Sequence, residues 1–323
     1  MDLFLPLQFL ANFISYRLLS LSPQGHLGQA FNFFLYDSLK IIILLVLVNY
    51  FMAIVRHYLP ITSIKTILTS RHWYGLDYFL AAVFGVVTPF CSCSSIPLFV
   101  GFVSSGVPLG VTLAFLITSP LVNEASLVIF PAMFGLKFTL LYNLSGILVG
   151  VLGGLVIQQF KLERYLEPTL LNPKSPTTSS FLTLKKEKVP LKLWWSQSWA
   201  ITKSLIPYIL LGIAIGALIH GYIPANFFEK YLVGNSWWSV PLATLLGVPF
   251  YANSMGIIPI MASLIGKGIP VGTILAFTTA TVTLSIPEAL ILKKVMKPPL
   301  LLVFFGVTTL GIMVLGFLFN VIY

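Results

Sequence analysis

Residues 41–55 read IIILLVLVNYFMAIV. Only Asn49 and Tyr50 interrupt the apolar run, and Lys40 and Arg56 close it at either end. Leu205–Ile219 and Leu300–Val321 read the same way. With flanking turns, each run approaches the ~20 residues that span a hydrocarbon core. The whole chain shares this character: 57% of residues are hydrophobic and 9% charged, and the mean hydropathy is +0.95. Soluble domains carry roughly 25% charged residues, so this chain cannot cover itself with a hydrated surface. Lipid is its natural solvent. No alternating pattern of short strands appears, which selects helices over a barrel. The expectation is an all-α integral membrane protein with roughly eight hydrophobic segments. It would be multi-pass in the cell membrane, the inner one if the cell has two.

The net charge of +10 is no nucleic-acid signature, because the basic residues gather in loops beside the apolar runs, as membrane topology requires. Residues 1–30 are expected to form an N-terminal interfacial segment: Pro6 and Arg17 interrupt Met1–Leu21, and Asp2 stands where a signal peptide would be positive. Two cysteines exclude a disulfide framework. No cofactor or ATP-binding motif is read.

The chain divides at residues 161–193, a stretch with four prolines, a Ser/Thr cluster and seven Lys/Arg. It reads as a basic cytoplasmic linker between a first repeat, 31–160, and a second, 194–323. Thr88-Pro89-Phe90 recurs as Val248-Pro249-Phe250, and Ser95-Ile96-Pro97 as Ile257-Ile258-Pro259. Gly106-Val107-Pro108-Leu109-Gly110 recurs as Gly268-Ile269-Pro270-Val271-Gly272, Leu113-Ala114-Phe115 as Leu275-Ala276-Phe277, and Glu124-Ala125 as Glu288-Ala289. The offset drifts from 160 (249 minus 89) through 162 (270 minus 108) to 164 (288 minus 124). Matches in one order point to an internal duplication.

Charge supplies orientation. Arg56, Lys65 and Arg71 mark one inside loop, the linker a second, and Lys293, Lys294 and Lys297 a third. Between Arg71 and Lys161 lie three apolar regions but an even number of crossings, so one region must enter and return on the same side. In the second half the span at about 200–220 goes out, and two apolar regions, about 237–266 and 270–292, must make an odd number of crossings to reach Lys293, so again one is re-entrant or split. The halves then run in opposite directions, as inverted-topology repeats with proline-broken or re-entrant helices. A parallel repeat remains the alternative.

Pro89, Cys91, Ser92, Cys93, Ser94 and Pro97 crowd one apolar stretch, and Pro249, Tyr251, Asn253, Ser254 and Pro259 crowd its counterpart. Proline removes a backbone donor and clashes with the preceding turn. Irregular backbone at membrane depth persists only against protein or a water-filled cavity. If residues 91–93 are extended, the two thiols point the same way and suit a soft, thiophilic ligand. Buried cysteines also serve as small apolar residues. No cysteine stands in the second copy, so no symmetric metal cage is expected. Glu124 and Glu288 read as the two carboxylates set deep in apolar sequence. An acid at that depth is costly and marks function by default; the competing reading is a carboxyl that ties down backbone freed by Pro120 or Pro287. Asn123 belongs to the same polar cavity. Glycines at 146, 150, 153 and 154 read as close helix packing.

The run Thr88-Pro89-Phe90-Cys91-Ser92-Cys93-Ser94-Ser95-Ile96-Pro97, with Gly106-Val107-Pro108 and Ser119-Pro120-Leu121-Val122-Asn123-Glu124 after it, resembles the ArsP-type predicted permease family. The resemblance implies a permease rather than an enzyme. It also implies efflux of trivalent organoarsenicals, with Cys91 and Cys93 as substrate ligands. The residues themselves leave open a carrier of a small sulfur-containing anion or a metal ion, in either direction, and a membrane thiol oxidoreductase. The expected partners are a small-molecule substrate, protons as coupling ion and the lipid bilayer, with no nucleic acid; self-association stays open.

Overall fold

The apolar runs become helices, and their glycines and prolines decide where each one starts and stops. The computed structural model describes residues 5–58 (Gln24 apart), 75–87, 92–104, 106–123, 126–127, 130–167, 237–249 and 268–323. Scattered positions between 195 and 217 and between 261 and 265 complete it. Helix α1 (Leu5–Asn12) runs into a π-turn at Phe13–Leu18, and α2 is His26–Tyr58. Then follow α3 (Leu76–Val87), α4 (Ser92–Ser104), α5 (Leu109–Leu121), α6 (Phe130–Phe134) and α7 (Leu136–Gln159). The second half contributes α8 (Ser239–Gly247), α9 (Val271–Thr283), α10 (Ile286–Leu292) and α11 (Pro298–Ile322). Among the described residues there is no strand. Four helical stretches are long and apolar enough to cross a membrane: His26–Leu47, Leu136–Gln159, Val271–Leu292 and Pro298–Ile322. Among the described residues, shorter apolar helices, Leu76–Val87 and Leu109–Leu121, accompany these four.

Helix α1 turns back onto α2. Asn32 Nδ2 donates to Asn12 Oδ1 at 2.9 Å, and Gln8 Nε2 donates to the same oxygen at 3.2 Å. Amide pairs satisfied within protein can lie at a depth where water is scarce.

Helices α5 and α9 sit at the centre. Every residue of α5 is buried, and so is nearly every residue of α9. Each packs antiparallel against a longer helix through glycine. A Cβ on Gly154 of α7 would stand 2.5 Å from the Gly110 carbonyl oxygen, and one on Gly146 would stand 2.6 Å from the Val122 side chain. The other face of α7 presents Leu136, Leu140, Leu144, Leu148 and Leu152, all exposed. A leucine stripe of that kind is what a lipid-facing helix needs. Small residues inward and large apolar ones outward place the helix between protein and membrane.

The same contacts recur 162 residues later (272 minus 110). Gly85 of α3 faces Phe115, Thr118 and Ser119, and Gly247 of α8 faces Phe277, Ala280 and Thr281. Gly110 faces Gly154 and Gln158; Gly272 faces Gly316 and Asn320. Gln158 Oε1 accepts the Gly110 N–H at 2.6 Å, and Asn320 Oδ1 accepts the Thr273 N–H at 3.1 Å. The turns entering both central helices also agree. At Gly106 (φ +85°) and Gly268 (φ +76°) the chain ends one helix in the left-handed conformation that glycine adopts without strain. Pro108 and Pro270 then open the next, with ψ of 141° and 137°.

Helix ends fix relative direction. Lys297 N–H, at the start of α11, bonds the Tyr165 carbonyl oxygen at 2.8 Å, and Leu166 pairs with Met296 in an isolated antiparallel bridge. The start of α11 therefore lies beside the end of α7, where α5 also begins. Helix α9 begins beside Asn320, at the far end of α11. A helix of 25 residues is about 37 Å long, so α5 and α9 start on opposite sides of the molecule. Between α7 and α11, Val149 meets Gly311, and Val307 meets Gly153. Numbering rises on one helix as it falls on the other, so the two are antiparallel.

Candidate functional site

Both central helices stop midway. In α5, Pro120 is the penultimate residue. Val122 leaves the helical region at φ −110°, ψ 87°, after its N–H has bonded the Thr118 carbonyl oxygen at 2.9 Å. Asn123 restarts the helix as an N-cap: its Oδ1 accepts the Ser126 N–H at 3.1 Å, and its carbonyl oxygen accepts the Leu127 N–H at 3.2 Å. In α9, Leu284 N–H bonds the Ala280 carbonyl oxygen at 2.8 Å, Ser285 turns extended at ψ 149°, and Ala289 N–H bonds the Ser285 carbonyl oxygen at 3.1 Å. Asn123 and Ser285 thus stand at equivalent points of two equivalent breaks.

This register bears on the carboxylates. Glu288 is 2% exposed and third in α10, the position a Ser-x-x-Glu capping box reserves for its acid. The unshifted offset sets Glu288 against Ser126, whereas the sequence match to Glu124 needs two more residues. Glu124 itself lies outside the described residues. Pro287 falls in the first turn of α10, where a missing N–H costs nothing.

Helix α4 leads away from the Pro/Cys/Ser motif. Its backbone is helical from Ser92 onward, so Ser92, Cys93 and Ser94 form a first turn and are not extended, and Pro97 does not interrupt it. The extended reading of residues 91–93 is therefore corrected at Ser92 and Cys93, whose backbone is helical. Pro89 and Cys91 lie outside the described residues, as do Tyr251, Asn253, Ser254 and Pro259. Pro249 sits in the turn that ends α8. Where α4 begins, Ser95 Oγ lies 2.7 Å from Ser119 Oγ, and both residues are buried. The helix after the motif is thereby pinned to α5 one residue before Pro120.

Helices α3 and α4 share an end of the molecule. Tyr78, early in α3, packs against the same hydrophobic cluster as Leu162 and Tyr165 just beyond α7, and α4 finishes at the turn into α5. Gly85, late in α3, and Ser95, early in α4, both reach the level of Ser119. Late α3 and early α4 therefore meet at one level of α5, and residues 88–91 between them lie outside the described residues.

Two residues escaped the sequence reading. Asp37 lies within the His26–Leu47 stretch and is 8% exposed, which corrects the view that Glu124 and Glu288 are the two acids deep in apolar sequence. Continuing the helix backwards from Ile41 through Phe33-Phe34-Leu35-Tyr36, past Lys40, would have found it. The second is Tyr142 of α7, 3% exposed. Its Oη lies 3.0 Å from the Leu121 carbonyl oxygen and 3.1 Å from Thr279 Oγ1. No sequence signal separates this tyrosine from the twelve others. Among the described residues no three His, Cys, Asp or Glu side chains gather as a metal site would require.

Residues 26–321 match the profile of a family described as a predicted permease. The chain is similar to the UPF0718 protein MJ0584 of Methanocaldococcus jannaschii, with 23% identity over 76% of this chain and 82% of the relative. It is also similar to the UPF0718 protein YraQ of Escherichia coli, with 23% identity over 72% of this chain and 66% of the relative. The UPF0718 protein YcgR of Bacillus subtilis is 26% identical over 46% of this chain and 51% of the relative. No solved structure matches.

Proposed function

The chain belongs to the ArsP-type predicted permease family, and from that premise we propose that it is a secondary transporter of the cell membrane built from inverted-topology repeats, 31–160 and 194–323. One observation carries the proposal: equivalent buried helices, α5 and α9, break at equivalent residues while starting from opposite sides. Equivalent helices that pack antiparallel at equivalent positions, as α7 and α11 do at Val149 and Gly311, are related by a two-fold axis perpendicular to them. In a bilayer that axis lies in the membrane plane. A helical hairpin, α3–α4, that dips in and returns beside a broken crossing helix supports the parity count made from charge.

The cargo is a small thiophilic solute such as a trivalent organoarsenical, moving outward. Cys91 and Cys93 bind it from one side of the midplane, with Ser92, Ser94 and Asn123 around them. Tyr251, Asn253 and Ser254 close the site from the other side. Glu124 and Glu288 exchange the coupling proton, and rocking of one half against the other exposes the site alternately. Membership of a family of permeases argues for transport rather than catalysis.

The test is flux of a trivalent methylarsenical into sealed proteoliposomes, with and without a pH gradient. Gradient-dependent flux that is lost in the Cys91→Ser/Cys93→Ser double variant, with normal reconstitution, is the expected result. Equal flux in the double variant would retire the thiol site.

A further inference from the structure

The end of a helix leaves carbonyl groups without intrahelical donors, and a break at membrane depth cannot hand them to water. At the α5 break the Leu121 carbonyl oxygen is such a group. The hydroxyl of Tyr142 donates to it at 3.0 Å. A carbonyl can only accept, so the single phenolic proton is committed to Leu121. Tyr142 Oη must then act as acceptor towards Thr279 Oγ1, 3.1 Å away on α9. The direction of the chain is set: Thr279 donates to Tyr142, and Tyr142 donates to Leu121. Thr279 behaves unlike its neighbours here. Thr278 and Thr281 turn their hydroxyls back onto carbonyls of α9 itself, at 2.9 and 2.8 Å.

This relay joins parts that the transport cycle must separate. Leu121 belongs to the broken helix of the first half, and Thr279 to the unbroken stretch of the second, four residues before its own end. The equivalent of Tyr142 on α11 is Phe304 (142 plus 162), which has no hydroxyl. Only one of two pseudo-equivalent positions therefore carries the link, and a one-sided link favours one of two pseudo-equivalent arrangements. We propose that Tyr142 is a positioning residue that couples the two halves, holding the α5 break against α9 in one access state and releasing Thr279 in the other. The inference rests on the alternating-access reading above, though not on the identity of the cargo.

The experiment uses the chain's own reporters. Cys91 and Cys93 are its two cysteines, and they flank the start of α4, which Ser95 and Ser119 tie to α5. Purified protein is reconstituted into liposomes, and a membrane-impermeant maleimide is applied to the outer or the inner face of oriented vesicles. Tyr142→Phe removes both bonds, Thr279→Val removes one, and Thr279→Ser keeps its hydroxyl. Buried hydrogen bonds contribute on the order of 1 kcal/mol each, so losing two should shift the ratio of outer to inner labelling rates about thirtyfold in Tyr142→Phe. The shift should be smaller and in the same direction in Thr279→Val, and absent in Thr279→Ser. A merely structural tyrosine would lower the melting temperature without moving that ratio. An unchanged ratio in monodisperse Tyr142→Phe protein overturns the proposal. A shifted ratio in a protein that carries no methylarsenical leaves the coupling intact and refutes only the cargo.

Discussion

At the scale of single residues, packing and chemistry make different demands of the same helices. Gly110 and Gly272 each abut a helix backbone, and a methyl at Gly110 would meet the Gly154 carbonyl oxygen at 2.6 Å. Gly110→Ala and Gly272→Ala should each destabilise by roughly 1–3 kcal/mol, the usual cost of overpacking. Gly306 is exposed on α11 with no described atom within 4 Å of an added Cβ. Gly306→Ala should therefore leave the apparent Tm unchanged or raise it. Unfolding curves in detergent read all three, and a tolerated Gly110→Ala would contradict the close approach. The packing glycines at 146, 150, 153 and 154 were legible in sequence because small residues at helical spacing have few other uses in lipid. Tyr142 was not legible. Its role depends on a carbonyl 21 residues away and a hydroxyl 137 away, and side-chain type alone carries no such information. Asp37 was missed for a plainer reason: Lys40 looks like the end of a span, and the helix continues through it.

At the scale of elements, punctuation decided what could be foreseen. Gly106-Val107-Pro108 and Gly268-Ile269-Pro270 forecast a stop followed by a start, because glycine takes the left-handed cap and proline opens the next helix. Pro120 marked the α5 break to within two residues. Pro97 misled, since the helix Ser92–Ser104 runs through it although proline offers no N–H to the Cys93 carbonyl. The extended CxC fell with it, because a helix already runs at Ser92. Asn123 separates two roles at this scale. As an N-cap it donates nothing to substrate and needs only a side-chain acceptor, so Asn123→Asp and Asn123→Ser should preserve the fold. Asn123→Ala should cost about 1 kcal/mol. If transport survives in the Ser variant and falls in the Ala variant together with stability, Asn123 is a cap. If flux is lost in the Ser variant at unchanged stability, it is a ligand.

At the scale of the whole molecule, two lines of argument bear on the proposed inverted topology. One counts crossings from the distribution of lysine and arginine, a property of insertion. The other follows hydrogen bonds: α5 begins beside Gln158, α11 begins beside Tyr165, and α9 begins beside Asn320 at the distant end of α11. Neither uses the other's premises. In the proposed inverted repeat, Pro108 and Pro270, which open equivalent helices, face opposite compartments. The measurement needs single cysteines at these two positions in a Cys91→Ser/Cys93→Ser background. An impermeant maleimide applied from outside should label Pro270→Cys, and Pro108→Cys should react only once the membrane is opened. Labelling of both from one side would mean a parallel repeat, and the two-fold axis in the membrane plane would be lost. The pairing of breaks would go with it. A parallel repeat relates its halves by an axis along the membrane normal, so alternating access would then rock one half against the other about that axis, with both breaks approached from one compartment.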